Sequence, residues 1–151
     1  MPETVIADTS ALILFSKIGE LSILQKVYSE LTTTPQVVEE FLEPLPDWVR
    51  IKSVSDKKYQ HFLETQVDKG EASAIALAIE SDDVILLVDD LKARGLASSL
   101  KLKITGTLGV LTKAKEKSII REIKPLIEKI LLTDFRIADN IIDEVLRLNN
   151  E

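Results

Sequence analysis

The chain has no cysteine, a single histidine (His61), one methionine and few aromatic residues among its 151. Each shortage removes a class of chemistry. Without cysteine there are no disulfides, thiolate metal sites or cysteine nucleophiles. One histidine is too few for zinc centres built on several imidazoles, and a Ser-His-Asp arrangement becomes hard to assemble. Any bound metal must therefore be held by oxygen, which favours Mg²⁺ or Mn²⁺. No apolar run approaches the ~20 residues that span a bilayer. The N-terminal stretch lacks a basic region and its apolar run is interrupted by Asp8, so no signal peptide is expected and a cytoplasmic location follows. What remains, 45% hydrophobic and 29% charged, suits one soluble domain with a genuine core, taken as residues 1–151.

The net charge of −6 looks poor for nucleic-acid binding, but it is unevenly spread. From Leu91 to Lys124 there are nine basic residues (Lys92, Arg94, Lys101, Lys103, Lys113, Lys115, Lys117, Arg121, Lys124) against two acidic ones, Glu116 and Glu122. That segment carries +7 and the rest of the chain −13. One interpretation is a set of solvated helix faces. The sharper one is a basic flank beside an acidic centre, suited to a polyanion, with Lys92 and Arg94 on the substrate backbone.

Two apolar, β-branched runs end in carboxylate and pass straight into helical patterns: Val5-Ile6-Ala7-Asp8 and Val84-Ile85-Leu86-Leu87-Val88-Asp89-Asp90. Between and after them, helices are expected at 11–18, 21–28, 35–42, 57–67, 70–78 and 92–100, then, after a Gly106-Thr107-Leu108-Gly109 turn, through Lys115. Strands are expected at 30–34, along the alternating 48–54 edge, and at 102–105. Pro35 suits the first turn of its helix. Ile119–Leu132 and Ala138–Leu148 read as two amphipathic helices. This alternation indicates an α/β fold, a doubly wound parallel sheet flanked by helices. In such a sheet the carboxyl ends of the strands line the ligand crevice. Asp8, Glu40, Glu71 and the Asp89-Asp90 pair would all stand near that edge. Singly, each has an ordinary explanation in capping, solvation or the helix dipole. Together, mutually repelling carboxylates imply a cation.

These segments resemble the PIN domain family, which includes the VapC-type ribonuclease toxins. The resemblance rests on Val5-Ile6-Ala7-Asp8-Thr9-Ser10-Ala11-Leu12-Ile13, on Thr34-Pro35-Gln36-Val37-Val38-Glu39-Glu40-Phe41 and on Gly70-Glu71-Ala72-Ser73-Ala74-Ile75-Ala76-Leu77-Ala78. It continues through Leu86-Leu87-Val88-Asp89-Asp90 and Thr105-Gly106-Thr107-Leu108-Gly109-Val110-Leu111. Each motif alone is weak; their order and spacing over residues 4–148 is specific. The resemblance implies a three-layer sandwich and Mg²⁺- or Mn²⁺-dependent hydrolysis of single-stranded or structured RNA, leaving 5′-phosphate and 3′-hydroxyl ends. It implies catalytic Asp8, Glu40, Glu71 and Asp90, with Asp89 competing with Asp90 as the strand-end ligand. The family often has aspartate where this chain has Glu71, and the extra methylene moves that carboxylate by roughly 1.5 Å. Thr9, Ser10 and Thr107 would orient the acids or cap helices. A homodimer and a cognate antitoxin also follow from the resemblance.

Rival readings fit less well. Receiver domains pair their acids at the first strand, and haloacid-dehalogenase-type phosphatases need Asp-x-Asp there, where position 10 is Ser. A non-catalytic module of the same fold, binding RNA or protein, is kept alive by Glu71 and by Val88 in place of threonine. An interaction protein working through its C-terminal helices is a third reading, although core packing explains the spacing of Ile120, Ile123, Ile127, Ile130 and Leu131. His61 and Trp48 are expected to take no part in catalysis.

Overall fold

A computed structural model describes residues 3–151. Its five described strands, β1 (Thr4–Ala7), β2 (Glu30–Thr33), β3 (Val49–Ile51), β4 (Val84–Leu87) and β5 (Ile104–Thr105), form one sheet in the order β3-β2-β1-β4-β5. Every pairing is parallel. Chain order runs outward from β1 in both directions, so the topological switch point lies between β1 and β4. That is where such sheets open a crevice beyond their strand ends.

Side-chain alternation divides the core into two layers. Val5, Ala7, Ile85 and Leu87 point to one face, packing with α1 (Thr9–Lys17), α2 (Ser22–Val27), α7 (Thr107–Glu116) and α8 (Lys124–Leu131). Ile6 and Leu86 point to the other, with α4 (Lys57–Leu63), α5 (Lys69–Glu80) and α6 (Leu91–Ser99). The small residues Ala72, Ser73, Ala74, Ala76 and Ala78 keep α5 slim on several sides, and all are buried. The remaining described helices are α3 (Pro35–Phe41) and α9 (Asp139–Leu148).

The expected elements are present, with shifted ends. The helix expected at 119–132 begins only at Lys124, with Pro125 in its first turn. Proline fits that turn because the missing N–H is unpaired there anyway. Ile123, Ile127 and Ile130 are buried in the core, so packing absorbs the face that an interaction helix would need. Trp48 likewise packs on the core, and His61 is exposed on α4, away from the strand ends.

The expected basic flank is largely dismantled. β5 enters the sheet from Lys101 and Lys103, and α7 carries Lys113 and Lys115 in its last turn, so these cations sit at the opposite end from the crevice. Lys103 and Lys113 pair with Glu3, Lys115 with Glu151, and Lys117 donates to Val27 O. They hold elements together rather than face a substrate. Only Lys92 and Arg94 of that segment stand at the strand ends, in the first turn of α6.

α8 has no capping side chain of its own, and Glu151 supplies one. Its carboxylate accepts from Ile123 N (2.8 Å) and Lys124 N (3.0 Å) while pairing with Lys115 at 2.7 Å. Burial works to raise the Glu151 pKa, but Lys115 and the two amides together prevail and lower it. A lowered carboxylate contributes stability above its ordinary value, and that contribution is lost as pH falls. Glu151→Ala is expected to cost about 1–2 kcal/mol in urea unfolding at pH 7, less at pH 3. A change within about 0.3 kcal/mol at pH 7 would show that the cap contributes nothing.

Candidate active site

The crevice is built from helix beginnings. In a parallel sheet each helix that follows a strand starts at the strand's carboxyl end, so unpaired N-terminal amides converge there. Acidic side chains satisfy them. Asp8 caps α1, its Oδ1 accepting from Ala11 N at 3.0 Å. Asp90 caps α6, its Oδ2 accepting from Ala93 N at 3.0 Å. Asp89 reaches across to α7, whose own N-cap is Gly106, and accepts from Thr107 N (2.8 Å) and Thr107 Oγ1 (2.6 Å). Asp68 and Glu71 form a reciprocal capping box at the start of α5.

Asp8 is the floor of this arrangement, 1% exposed, and its Oδ2 is buried without a hydrogen-bond partner. Burial pushes its pKa up to about 7; the Ala11 amide opposes this, and the charges of Glu71, Asp89 and Asp68 add to it. Glu71 is also raised to about 7, by burial first and then by Asp68 and Asp90. These mutual effects place Asp8, Asp68, Glu71, Asp89 and Asp90 in one electrostatic neighbourhood.

Glu40 joins from the other side. It is exposed near the end of α3, and Thr9 Oγ1 donates to its Oε1. A Cβ on Gly70 would collide with that Oε1 and lie 2.7 Å from Thr9 Oγ1, so glycine makes room for the pair. Behind it, Thr34 and Ser73 hydroxyls meet at 2.7 Å and Ser73 donates to Gly70 O, tying α3 to α5. Thr33 Oγ1 donates to Ala7 O at 2.9 Å, fixing β2 against the end of β1.

A family model described as a PIN domain matches residues 4–151. The chain belongs to the PIN domain family. PIN domains are typically nucleases and generally use divalent metals. No curated protein matches the chain. The all-parallel sheet with helices on both faces is the three-layer arrangement of this family.

Among the described residues of this PIN domain, no three carboxylates are close enough to hold one ion between them. Each is held instead by a helix amide or hydroxyl of its own. The donor chemistry still fits a hard divalent cation. The floor has an orphaned carboxylate oxygen, Asp8 and Glu71 are raised toward neutrality, and every candidate donor is oxygen. Asp8, Glu71, Asp89 and Asp90 are the residues that would have to draw together to hold it, with Glu40 beside Thr9. Asp89 has both oxygens engaged by Thr107, whereas Asp90 has one engaged by Ala93. The helix-capping explanations of Asp8, Asp89, Asp90 and Glu71 are therefore correct, and they are also what assembles the crevice.

Thr9 and Thr107 orient acids, as the resemblance implies; Ser10 is exposed in the first turn of α1. Sequence reasoning passed over Asp68, although Asp68-x-x-Glu71 ahead of a small-residue helix is a capping-box signature. Thr33, Thr34 and Ser73 gave no signal, since a buried hydroxyl pair is visible only once α3 meets α5.

A raised carboxylate means that the folded state binds more protons than the unfolded state between about pH 4 and 7. Stability of the metal-free protein must therefore fall as pH rises through that window. Asp8→Asn keeps the capping oxygen and removes the buried charge. It is expected to stabilise the metal-free protein by ~2 kcal/mol at pH 8 and to change it little at pH 4. MnCl₂ should raise the melting temperature of the unaltered protein at pH 8 and leave Asp8→Asn unmoved. A variant less stable than the parent at pH 8 would contradict the electrostatic account.

Proposed function

We propose that this PIN domain is a metal-dependent ribonuclease that hydrolyses RNA phosphodiester bonds at the Asp8 crevice. The observation that carries the reading is the orphaned Oδ2 of fully buried Asp8, surrounded by the charges of Glu71, Asp89 and Asp68. A buried carboxylate oxygen without a donor is costly unless a cation or proton completes it. A divalent ion held there supplies a water of lowered pKa and positive charge for the leaving oxygen. Asp8 and Asp90 would hold it from neighbouring strand ends, Glu71 from α5, and Glu40, oriented by Thr9, from α3. Lys92 is exposed beside Asp90 and Arg94 follows half-buried, both suited to steadying a phosphate of the substrate. No histidine is required. The role of toxin in a toxin–antitoxin pair, an antitoxin partner and a homodimer belong to this reading through family resemblance rather than through any residue.

A second reading, a catalytically weak domain that binds RNA or a protein through the same surface, is favoured by one observation. Both oxygens of Asp89 are already engaged, and the other acids stay apart in their caps. Divalent-ion affinity separates the two.

The direct test is Mn²⁺-dependent cleavage of single-stranded RNA by the purified protein. Asp8→Asn and Asp90→Asn preserve the caps, because asparagine is an equally good N-cap. Each is expected to lower the cleavage rate at least about a hundredfold while leaving circular dichroism unchanged. Cleavage at the parental rate by either would remove that residue from the site.

Gly70→Ala offers a separate check. The added methyl would push away the far end of an exposed glutamate and crowd the Thr9 hydroxyl, so stability should fall by about 1 kcal/mol without unfolding the domain. Displacing Glu40 from Thr9 should nevertheless cost roughly tenfold or more in cleavage rate. Full activity in this variant would show that the position of Glu40 is immaterial.

A further inference from the structure

We propose that the cleft next to Asp89 is a pocket for an unpaired nucleobase, the one adjoining the phosphate that is cleaved; this deepens the nuclease reading and rests on it. The cleft measures about 540 Å³ and lies between the start of α6, the turn from β5 into α7, and residues 135–141 leading into α9. Its volume is in the range of small-ligand sites.

Three features select the occupant. The first is continuity. Asp89 lines the cleft and is one of the charges acting on Asp8, so a chain lying across the acidic centre has its neighbouring residue at the cleft mouth. The second is unspent positive charge. Arg94 and Arg136 both line the cleft, and among the described residues neither pairs with a carboxylate. Arg94 Nη1 donates to Val88 O at 2.8 Å, which leaves most of its five donors available. Gly106 keeps Arg94 and Asp89 side by side, since a Cβ there would lie 2.8 Å from Arg94 Nη1 and 2.7 Å from Asp89 Oδ1.

The third is the wall. Leu108, Phe135 and Ile141 supply apolar surface, with Phe135 half-buried against the core and Ile141 46% exposed. Apolar and aromatic contact for a flat face, with guanidinium donors for its edge and its phosphate, is how single-stranded RNA bases are held. A purely apolar ligand or an apolar protein segment would leave Arg136 and the remaining donors of Arg94 unmatched.

The pocket can be tested without turnover. Isotope-labelled protein, free of divalent metal, would be titrated with adenosine and guanosine 5′-monophosphate while backbone amide resonances are followed. Shifts concentrated at Gly106, Gly109, Arg136 and Ile141 are expected, absent with inorganic phosphate alone. Still resonances through ~10 mM nucleotide would leave the cleft to some other partner and overturn the proposal. Equal shifts from phosphate would also overturn it.

Binding of a short single-stranded RNA, followed by anisotropy in the Asp8→Asn background, provides the second arm. Phe135→Ala and Arg136→Ala should each weaken it about tenfold. Arg136 is exposed, so its replacement answers the question even where Phe135→Ala perturbs packing. Parental affinity in the folded Arg136→Ala variant, beside a parent that cleaves RNA, would remove the pocket and leave the nuclease reading intact. Nucleotide shifts in a parent that cleaves nothing would sink the nuclease reading and uphold the pocket.

Discussion

Carboxylates can gather at the end of this sheet because helix N-termini gather there too. The amides at the starts of α1, α5, α6 and α7 each take one acidic side chain, and the same parallel topology that aligns the strands aims these helix ends at a common crevice. Each amide–carboxylate bond is worth about 1 kcal/mol, with a further favourable contribution from the helix dipole. That is enough to hold an acid in place against its neighbours. It is not enough to make five of them comfortable. The cost shows in Asp8 and Glu71, both pushed to about 7 by burial first and by neighbouring carboxylates second. Capping thus explains why the acids are present, and burial, with repulsion added, explains what they lack.

The cations follow the complementary logic. Lys113, Lys115 and Lys117 are spent on Glu3, Glu151 and the Val27 carbonyl, fastening α7 to β1, to the end of α9 and to α2. Surface pairs of this kind contribute little individually. Their effect is on distribution: these three cations are committed at the end of the sheet away from the crevice, while Lys92 and Arg94 stand at the strand ends and Arg136 lines the neighbouring cleft. In a protein of net charge −6, these are the cations that a polyanion lying over the acids would have to use.

How far this was legible in the sequence depends on whether the signal is local. Asp8 and Asp90 are read from a strand running into a helix, a pattern contained within a few residues. The doubly wound sheet follows from repeating that unit. The positions of Lys113 and Lys115 are not local: they lie in the last turn of α7, and their distance from the crevice is set by how far that helix runs from the strand ends. The +7 segment accordingly looked like a flank, and four of its nine cations are scaffolding. Glu40 was placed at the edge from its helix following a strand and from motif order, whereas its link to the crevice is a hydrogen bond from Thr9, thirty-one residues away in sequence, across a gap left by Gly70. The start of α8 was missed for the opposite reason: the local pattern of isoleucines was real, but Pro125 fixes the first turn and packing holds Ile123 before it.

If the proposed nuclease reading holds, the two flanks of the crevice offer a substrate different chemistry. Acids occupy the switch point between β1 and β4, while the arginines and the apolar wall lie to the β5 side, around the start of α7 and the approach to α9. On the β2 side the crevice is bounded by Glu40 on α3, beside Thr9 and Gly70. Sequence preference in a site of this kind would come from the base on the arginine side, because only there do donors and a flat apolar surface coincide.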